Sequence, residues 1–441
     1  MNTSRVSTVR TARRNEGVPH LRRSARAGIS SLIVAATLGL LTANTLAADA
    51  RTYTQLNLFG DAYDRVRRAY VEQIPDEFLV RSAINGLLAA LDPDSVFLTP
   101  QAYQDLLANK VRVYDGLGLE ITMSEGVARV VAPIDGGPAA VAGLRTDDLI
   151  VDINGTPVFG MNLTETIQAL QGAPGTTADL VIVRQGTDAF RRAVTREAVA
   201  EPKVAARARG NGGYIRIPYF TPGVLAQLTT AVTDLQKQLG ANFEGVVLDL
   251  RNTPGGSQEA ALQVADAFLT EGLMMSIQGR AEGDSKTFNA TPGDILKGAP
   301  LVVLVDGGTA GAAEIVAGAL KDRGRAITIG MTTFKRGSAQ SLVQMGELGY
   351  VQLTTGYYVT PKGASIQTDG VVPGTVVEPA RVILPEDRFP RRTEATLRGA
   401  LDIPAGGPAG VQAEAAEVDY QLARAFDLLH ALALVNQFAA N

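Results

Sequence analysis

From about residue 212 onward, continuous apolar runs alternate with amphipathic helical patterns, and this alternation limits the fold more than any other feature. Tyr214–Ile217 precedes a helical pattern near 222–239. Gly245–Leu250 precedes a Gly-Gly turn and a helix near 257–270, and Leu301–Val305 precedes a Gly-rich turn and a helix near 311–322. Ala326–Ile329 and Tyr350–Thr355 read as further strands. Strands without polar interruption are covered on both faces, so the pattern predicts a buried α/β sheet with crossover helices.

The rest of the chain has a different texture. Residues 52–107 read as helical, with Leu56, Phe59, Tyr63, Val66 and Tyr70 at three- to four-residue spacing and a turn at Leu91-Asp92-Pro93-Asp94-Ser95. Between about 112 and 198 lie short β-type runs: Leu117–Thr122, Val127–Val131, Leu149–Ile153 and Leu180–Val183. One helix interrupts them, opened by Asn162 with Glu165 three residues on, a capping-box pattern, and striped by Leu163, Ile167 and Leu170. A Pro/Gly/Ala-rich linker, Pro404–Gly410, leads to a last helix near 418–436 with Leu422, Phe426, Leu429 and Leu432 on one face. The predicted organisation is 1–47 export segment, 48–107 helical, 108–198 β-rich, 199–380 α/β core and 381–441 linker and helix.

Composition removes several kinds of chemistry. There is no cysteine, which excludes disulfides, thiolate nucleophiles and zinc–thiolate sites. The only histidines are His20 and His430, so the commonest general base and metal ligand is nearly absent. A net charge of −4 supplies no basic footprint for nucleic acid, and no cofactor or metal is expected. Arg5, Arg10, Arg13, Arg14, Arg22, Arg23 and Arg26, then the apolar run Ile29–Leu41 and small residues at Thr45-Leu46-Ala47, read as a cleaved export signal. An uncleaved anchor is the competing reading; the run falls short of the roughly 20 residues that span a bilayer. The expected location is the periplasm or cell envelope.

In the β-rich region, Tyr114-Asp115-Gly116-Leu117-Gly118-Leu119 opens a strand. Such a loop can aim consecutive N–H groups at a terminal carboxylate, while a peptide pairs with the edge at 118–122 and its last side chain sits among Leu117, Leu119, Ile167 and Leu170. A tight turn and core packing would account for the loop alone. The longer pattern Gly137-Pro138-Ala139-Ala140-Val141-Ala142-Gly143-Leu144, Asp148-Leu149-Ile150 and Ile153-Asn154-Gly155 resembles a bacterial PDZ domain. Asp147 stands where that domain usually has glycine, and Arg184, read onto the last strand, matches an arginine thought to relay PDZ state in related peptidases.

Two strand-to-helix turns could carry chemistry: Asp249–Gly256 and Asp306–Glu314. Neither has the spacing of a nucleotide-binding loop, but both set N–H groups near helix N-termini, where an oxyanion could be held. With Leu56–Gly60, Leu91-Asp92-Pro93, Thr333–Gln340, Tyr357–Gly363 and Asp419–Leu422, the chain resembles the C-terminal processing, or tail-specific, peptidases. The resemblance implies a crotonase/Clp-like α/β peptidase core with an inserted PDZ domain and helical N- and C-terminal regions. It also implies proteolysis by a serine nucleophile, a lysine base and a supporting glutamine, on protein C-termini or unfolded proteins.

Matched position by position, Thr309-Ala310-Gly311-Ala312-Ala313-Glu314 places Gly311 at the nucleophile. Thr333-Phe334-Lys335-Arg336-Gly337 places Arg336 at the base, while Gln340 matches the glutamine and Gly255, Gly256 and Ala312 the oxyanion elements. Asp94, Thr253 and Gly374 also depart from the pattern, Asp94 standing in place of histidine. Glycine offers nothing to acylate, and arginine keeps its proton at any useful pH. The expectation is therefore a degenerate peptidase that still grips C-termini or a partner peptidase. The rival is an active enzyme using Thr309, Lys335 and Gln340; a third reading makes the helical terminal regions an assembly surface, for self-association or for an active relative.

Overall fold

The computed structural model describes residues 52–108, 115–198, 202–380, 398 and 419–440. The expected export segment, Tyr114 and the linker Pro404–Gly410 lie outside the described residues. The chain divides into two compact units, 1–83 and 84–441. In the first, a helix over 52–69 carries the expected apolar pattern, with Leu56, Phe59 and Val66 exposed and Tyr63 half-buried. Arg67 pairs with Asp76 at 3.0 Å.

In the second unit the expected turn at Leu91–Ser95 is present, and a strand that the spacing did not suggest follows it. Asp92 accepts bonds at Oδ1 from the N–H groups of Asp94 (2.9 Å) and Ser95 (2.8 Å), and at Oδ2 from the Ser95 hydroxyl (2.7 Å). This side-chain-to-backbone turn follows the end of the helix Asp76–Ala89, and Val96–Leu98 becomes a strand antiparallel to Tyr350–Val359. The helix Pro100–Ala108 follows.

The β-rich module is an antiparallel sheet in the order Leu119–Ser124, Val127–Pro133, Leu149–Ile153, Thr177–Val183, Phe190–Thr195. Its helix Leu163–Leu170 starts on the predicted capping box: Asn162 accepts from the Glu165 N–H and Glu165 accepts from the Asn162 N–H, each at 2.9 Å. A short pairing of Asp115–Gly116 with Glu197–Ala198 closes the module at its base. The first strand begins at Leu119 rather than Leu117, because Gly116 and Gly118 both adopt positive φ and turn the chain there. Asp147, in the position expected to favour glycine, has φ 71° and an ion pair to Arg129.

The core sheet runs Ala205–Arg209, Gly212–Arg216, Gly245–Asp249, Leu301–Val305, Ile327–Gly330, Thr375–Val376, parallel after the first hairpin. Alternate residues explain the unbroken apolar runs. Ile215, Val246, Leu248, Val303 and Val305 pack with the helices Val224–Leu239, Gln258–Asp266 and Ala312–Asp322. Tyr214, Val247, Val302 and Leu304 pack with Leu422, Ala425 and Leu429 of the final helix Tyr420–Ala440. A second, antiparallel sheet combines Val96–Leu98, Ser338–Gln344, Tyr350–Val359, Leu273–Gly279 and Lys286–Asn289; only Tyr350–Thr355 of it was read as strand from sequence.

The final helix thus uses its predicted stripe against its own core. Leu429 is 1% exposed and Phe438 78%. Leu429→Ala should lower the unfolding free energy by about 2–5 kcal/mol, the cost of a buried large-to-small change. Phe438→Ala should change it by less than about 0.5 kcal/mol in the same urea titration.

Candidate functional site

Two loops leave the carboxyl ends of adjacent parallel strands, and side chains lock them together. Thr253 donates its hydroxyl to the Ile217 carbonyl at 2.7 Å and accepts from Arg216 at 2.6 Å. Asp306 accepts the N–H groups of Asn252 and Gly308, each at 2.9 Å, and burial raises its carboxyl above the usual range. The Ala310 N–H donates to the Thr253 carbonyl at 2.9 Å. Gly256 (φ 126°) lies against Phe220, whose carbonyl oxygen would be 2.5 Å from any added Cβ, so only glycine fits there. The Arg251, Asn252 and Asp306–Gly308 side of these loops contributes to a cavity of about 680 Å³ whose lining also includes Asp249 and Asp419. Their later residues, Pro254–Gly256 and Gly311–Ala312, line a second cavity of about 210 Å³.

This smaller cavity gathers most of the catalytic and oxyanion residues expected from the sequence: Gly255, Gly256, Gly311, Ala312, Arg336 and Gln340. Gly311 has φ 54° and ψ −111°, and a Cβ placed on it would approach nothing closer than the Gly255 Cα at 3.8 Å. A side chain would have room there, but only on a backbone that L-residues rarely adopt.

Glu314, fully buried on the first turn of the helix behind Gly311, ties the signature segments together. Its carboxylate accepts the N–H groups of Gly311 (2.9 Å), Lys335 (2.8 Å) and Arg336 (2.8 Å), and the Thr333 hydroxyl. Burial pushes this carboxyl up to about 7, against the opposing pull of the four donors.

Arg336 extends into the cavity and ends in an ion cluster. One guanidinium nitrogen is 2.7 Å from Glu120 and another 3.3 Å from Asp94. Burial opposes the charge, but Glu120 and then Asp94 hold the proton more firmly than in water. Asp94 also accepts the Ser338 hydroxyl at 2.9 Å, and Ser338 in turn accepts from the Gln340 amide at 2.8 Å. Gln258 accepts from Tyr358 at 3.0 Å on the same lining.

Two residues of the predicted catalytic set are not brought to this cavity. Thr309 is fully buried; its hydroxyl donates to the Leu250 carbonyl at 2.8 Å and accepts from the Asp306 N–H at 2.9 Å. Lys335 has φ 74° and an exposed side chain, with its Cγ against Gly370. Several lining residues were not singled out in the sequence, Gln258 and Ile315 among them. Glu120 is a lone acid on an apolar strand, Ser338 is uncharged, and Tyr219 and Tyr358 carry no local pattern. Asp94 was noted only as a departure from a family pattern; its charge opposite Arg336 was the available signal.

In the β-rich module, Leu119–Ser124 is an edge strand beside the helix Leu163–Leu170. Of the four residues expected around a bound side chain, Leu117 and Leu170 are buried in the module core, Leu119 is half-buried against it and Ile167 is exposed. Gly116 lies against the end of the helix, where a Cβ would be 3.8 Å from the Leu170 carbonyl oxygen. Ile121 points into the core while its neighbour Glu120 reaches Arg336. Arg184 follows the strand Thr177–Val183, which is not the module's last, and binds Asp148 (2.6 and 2.7 Å) and the Gly143 carbonyl (2.8 Å). Among the described residues, no group of three or more acidic or histidine side chains is arranged to hold a metal ion.

Two outcomes follow for stability. Arg336→Ala strands two partly buried carboxylates and should cost about 3–5 kcal/mol, measured by denaturant titration. Glu314 binds its proton more tightly folded than unfolded, so its contribution is full below its ordinary pKa and is lost as pH rises through about 7. The unfolding free energy of the wild type should fall between pH 5 and pH 8 relative to Glu314→Gln; parallel pH profiles would contradict this.

Comparison with known proteins bears on the family and the fold. Residues 211–377 match peptidase family S41 and residues 129–184 match a PDZ domain. A carboxy-terminal-processing protease of Bartonella bacilliformis is 40% identical over 332 residues, covering 75% of this chain and 76% of that protein. A carboxyl-terminal-processing protease of Synechocystis sp. is 34% identical over 337 residues, covering 74% and 77%. The solved structure of a photosystem II D1 C-terminal processing protease superposes with a TM-score of 0.64 at 32% identity, covering 73% of this chain and 92% of that one. With its PDZ domain and S41 core, the chain belongs to the family of carboxy-terminal-processing proteases.

Proposed function

We propose that this protein is an envelope member of the family that holds protein C-termini through its PDZ domain and does not cut them by serine–lysine chemistry. The observation that carries this reading is the occupancy of the cavity. Gly311 offers no nucleophile, and Arg336 occupies the base position with its guanidinium paired to Glu120 and Asp94. An arginine so paired cannot take a proton from a nucleophile. The glycine turns that could hold an oxyanion and Gln340 remain on the lining, so the cavity keeps polypeptide-facing features without the reacting pair. The Arg-rich, apolar leader motivates the envelope location.

For capture, the edge strand Leu119–Ser124 offers main-chain pairing, and the Gly116–Gly118 loop the terminal carboxylate contact. The rival reading needs Thr309 and Lys335 to reach the cavity. The hydroxyl of Thr309 is committed to the loop, and Lys335 projects at Gly370.

Binding and turnover test the two halves separately. A C-terminal peptide with a free carboxylate should bind the purified protein at least about tenfold more tightly than its amide; equal affinities would refute carboxylate reading. Incubation with an unfolded protein should give no cleavage in the wild type. Turnover abolished by Thr309→Ala or Lys335→Ala would establish the rival. Gly311→Ser combined with Arg336→Lys restores both reacting groups, at a backbone cost of about 1–3 kcal/mol for the serine. Cleavage that appears only in this double variant would tie inactivity to these two positions.

A further inference from the structure

The cavity does not end at Gln340. Ser338 and Gln340 line it, and both belong to the strand Ser338–Gln344, which runs on from the lining into solvent. That strand pairs only with Tyr350–Val359; no other strand lies on its outer edge among the described residues. From Gln340 to Gln344 every residue is exposed. Opposite Ala339 and Gln340 the register skips Thr355, an extra residue on the partner strand that bends it where Ser338–Gln344 leaves the lining.

Its composition is unusual for an edge. Native edge strands are guarded against pairing by charge, proline or covering elements. Ser338-Ala339-Gln340-Ser341-Leu342-Val343-Gln344 contains neither charge nor proline, and Leu342, Val343, Met345 and Leu348 are exposed on the strand and the turn after it. An uncharged edge with apolar side chains, continuous with a cavity, is suited to receive another strand.

We propose that the outer edge of Ser338–Gln344 binds an extended, unfolded stretch of polypeptide by strand addition, guiding the chain into the cavity at Gln340. The proposal rests on the reading that this cavity receives polypeptide. Continuity selects the occupant: pairing that begins at residues lining a cavity of about 210 Å³ requires a single extended chain. A folded edge from a second copy of this protein would meet the exposed residues but could not follow the strand inward. Main-chain hydrogen bonds would supply affinity with little sequence preference, while Leu342 and Val343, on opposite faces of the strand, favour an apolar side chain on each face of the added chain.

The probe is a long synthetic unstructured peptide of Gly, Ser, Gln, Ala and Val with a free carboxylate, bound to the full chain. Backbone N-methyl groups are moved one residue at a time through the part upstream of the PDZ-covered terminus. N-methylation should weaken binding about tenfold at every second upstream residue and leave the intervening ones unchanged. Leu342→Lys with Val343→Lys, both on the surface, should remove the upstream contribution while preserving the preference for acid over amide. Because the chain has no cysteine, Val343→Cys provides a sole thiol; disulfides with a cysteine scanned along the peptide should recur with period two. Retained acid-over-amide preference with no upstream effect of N-methylation would overturn the inference and leave C-terminal capture standing. Loss of both preferences would remove the capture reading as well. Disulfide-linked dimers of Val343→Cys formed in preference to peptide adducts would assign the edge to a second copy and overturn the inference.

Discussion

The site depends on one buried carboxylate. Glu314 sits on the first turn of the helix behind Gly311 and gathers four donors from two segments, Gly311 and Thr333–Arg336. Uncompensated, a carboxylate in that position would be costly; hydrogen-bonded, it fixes the backbone of Lys335 and Arg336 against the turn at Gly311. One consequence is the division of labour between two adjacent cations. Lys335 takes a positive φ and turns outward, whereas Arg336 enters the cavity. The choice is made by the backbone hydrogen bonds rather than by either side chain.

Two departures from the family pattern become intelligible together. An arginine in the cavity needs countercharge, and Asp94, on a turn remote in sequence, provides part of it. Glu120 provides the rest from the PDZ edge strand. A histidine at 94 would offer Arg336 no negative charge. Arg216 with Asp135 (2.8 Å) and Thr146 with Asn252 (3.1 Å) add further links between the PDZ domain and the core loops.

Much of this molecule was legible in its sequence, for identifiable reasons. The strands Gly245–Asp249 and Leu301–Val305 are buried on both faces, so their composition announces them. The capping box at Asn162 is local chemistry and reads directly. The strand Val96–Leu98 was hidden because three residues have no period and their partner lies at Tyr350–Gln352. Ser338–Gln344 was hidden because an edge exposed on both faces lacks the alternation that marks a half-buried strand. At the site, local motifs placed Gly311, Arg336 and Gln340 on one cavity, but nothing local shows that Thr309 is held inside its own loop or that Glu120 reaches across from another domain.

Gly311 makes substitution at this turn unequal in energy in its two directions. Its backbone sits at φ 54°, where glycine rests without penalty and any residue with a β-carbon is strained. Exchanging a side chain for hydrogen at such a point gains stability in the same step that empties the position. Introducing a side chain meets that strain, beside an ion cluster already built on Arg336. The turn therefore works as a ratchet, easy to pass in one direction and uphill in the other.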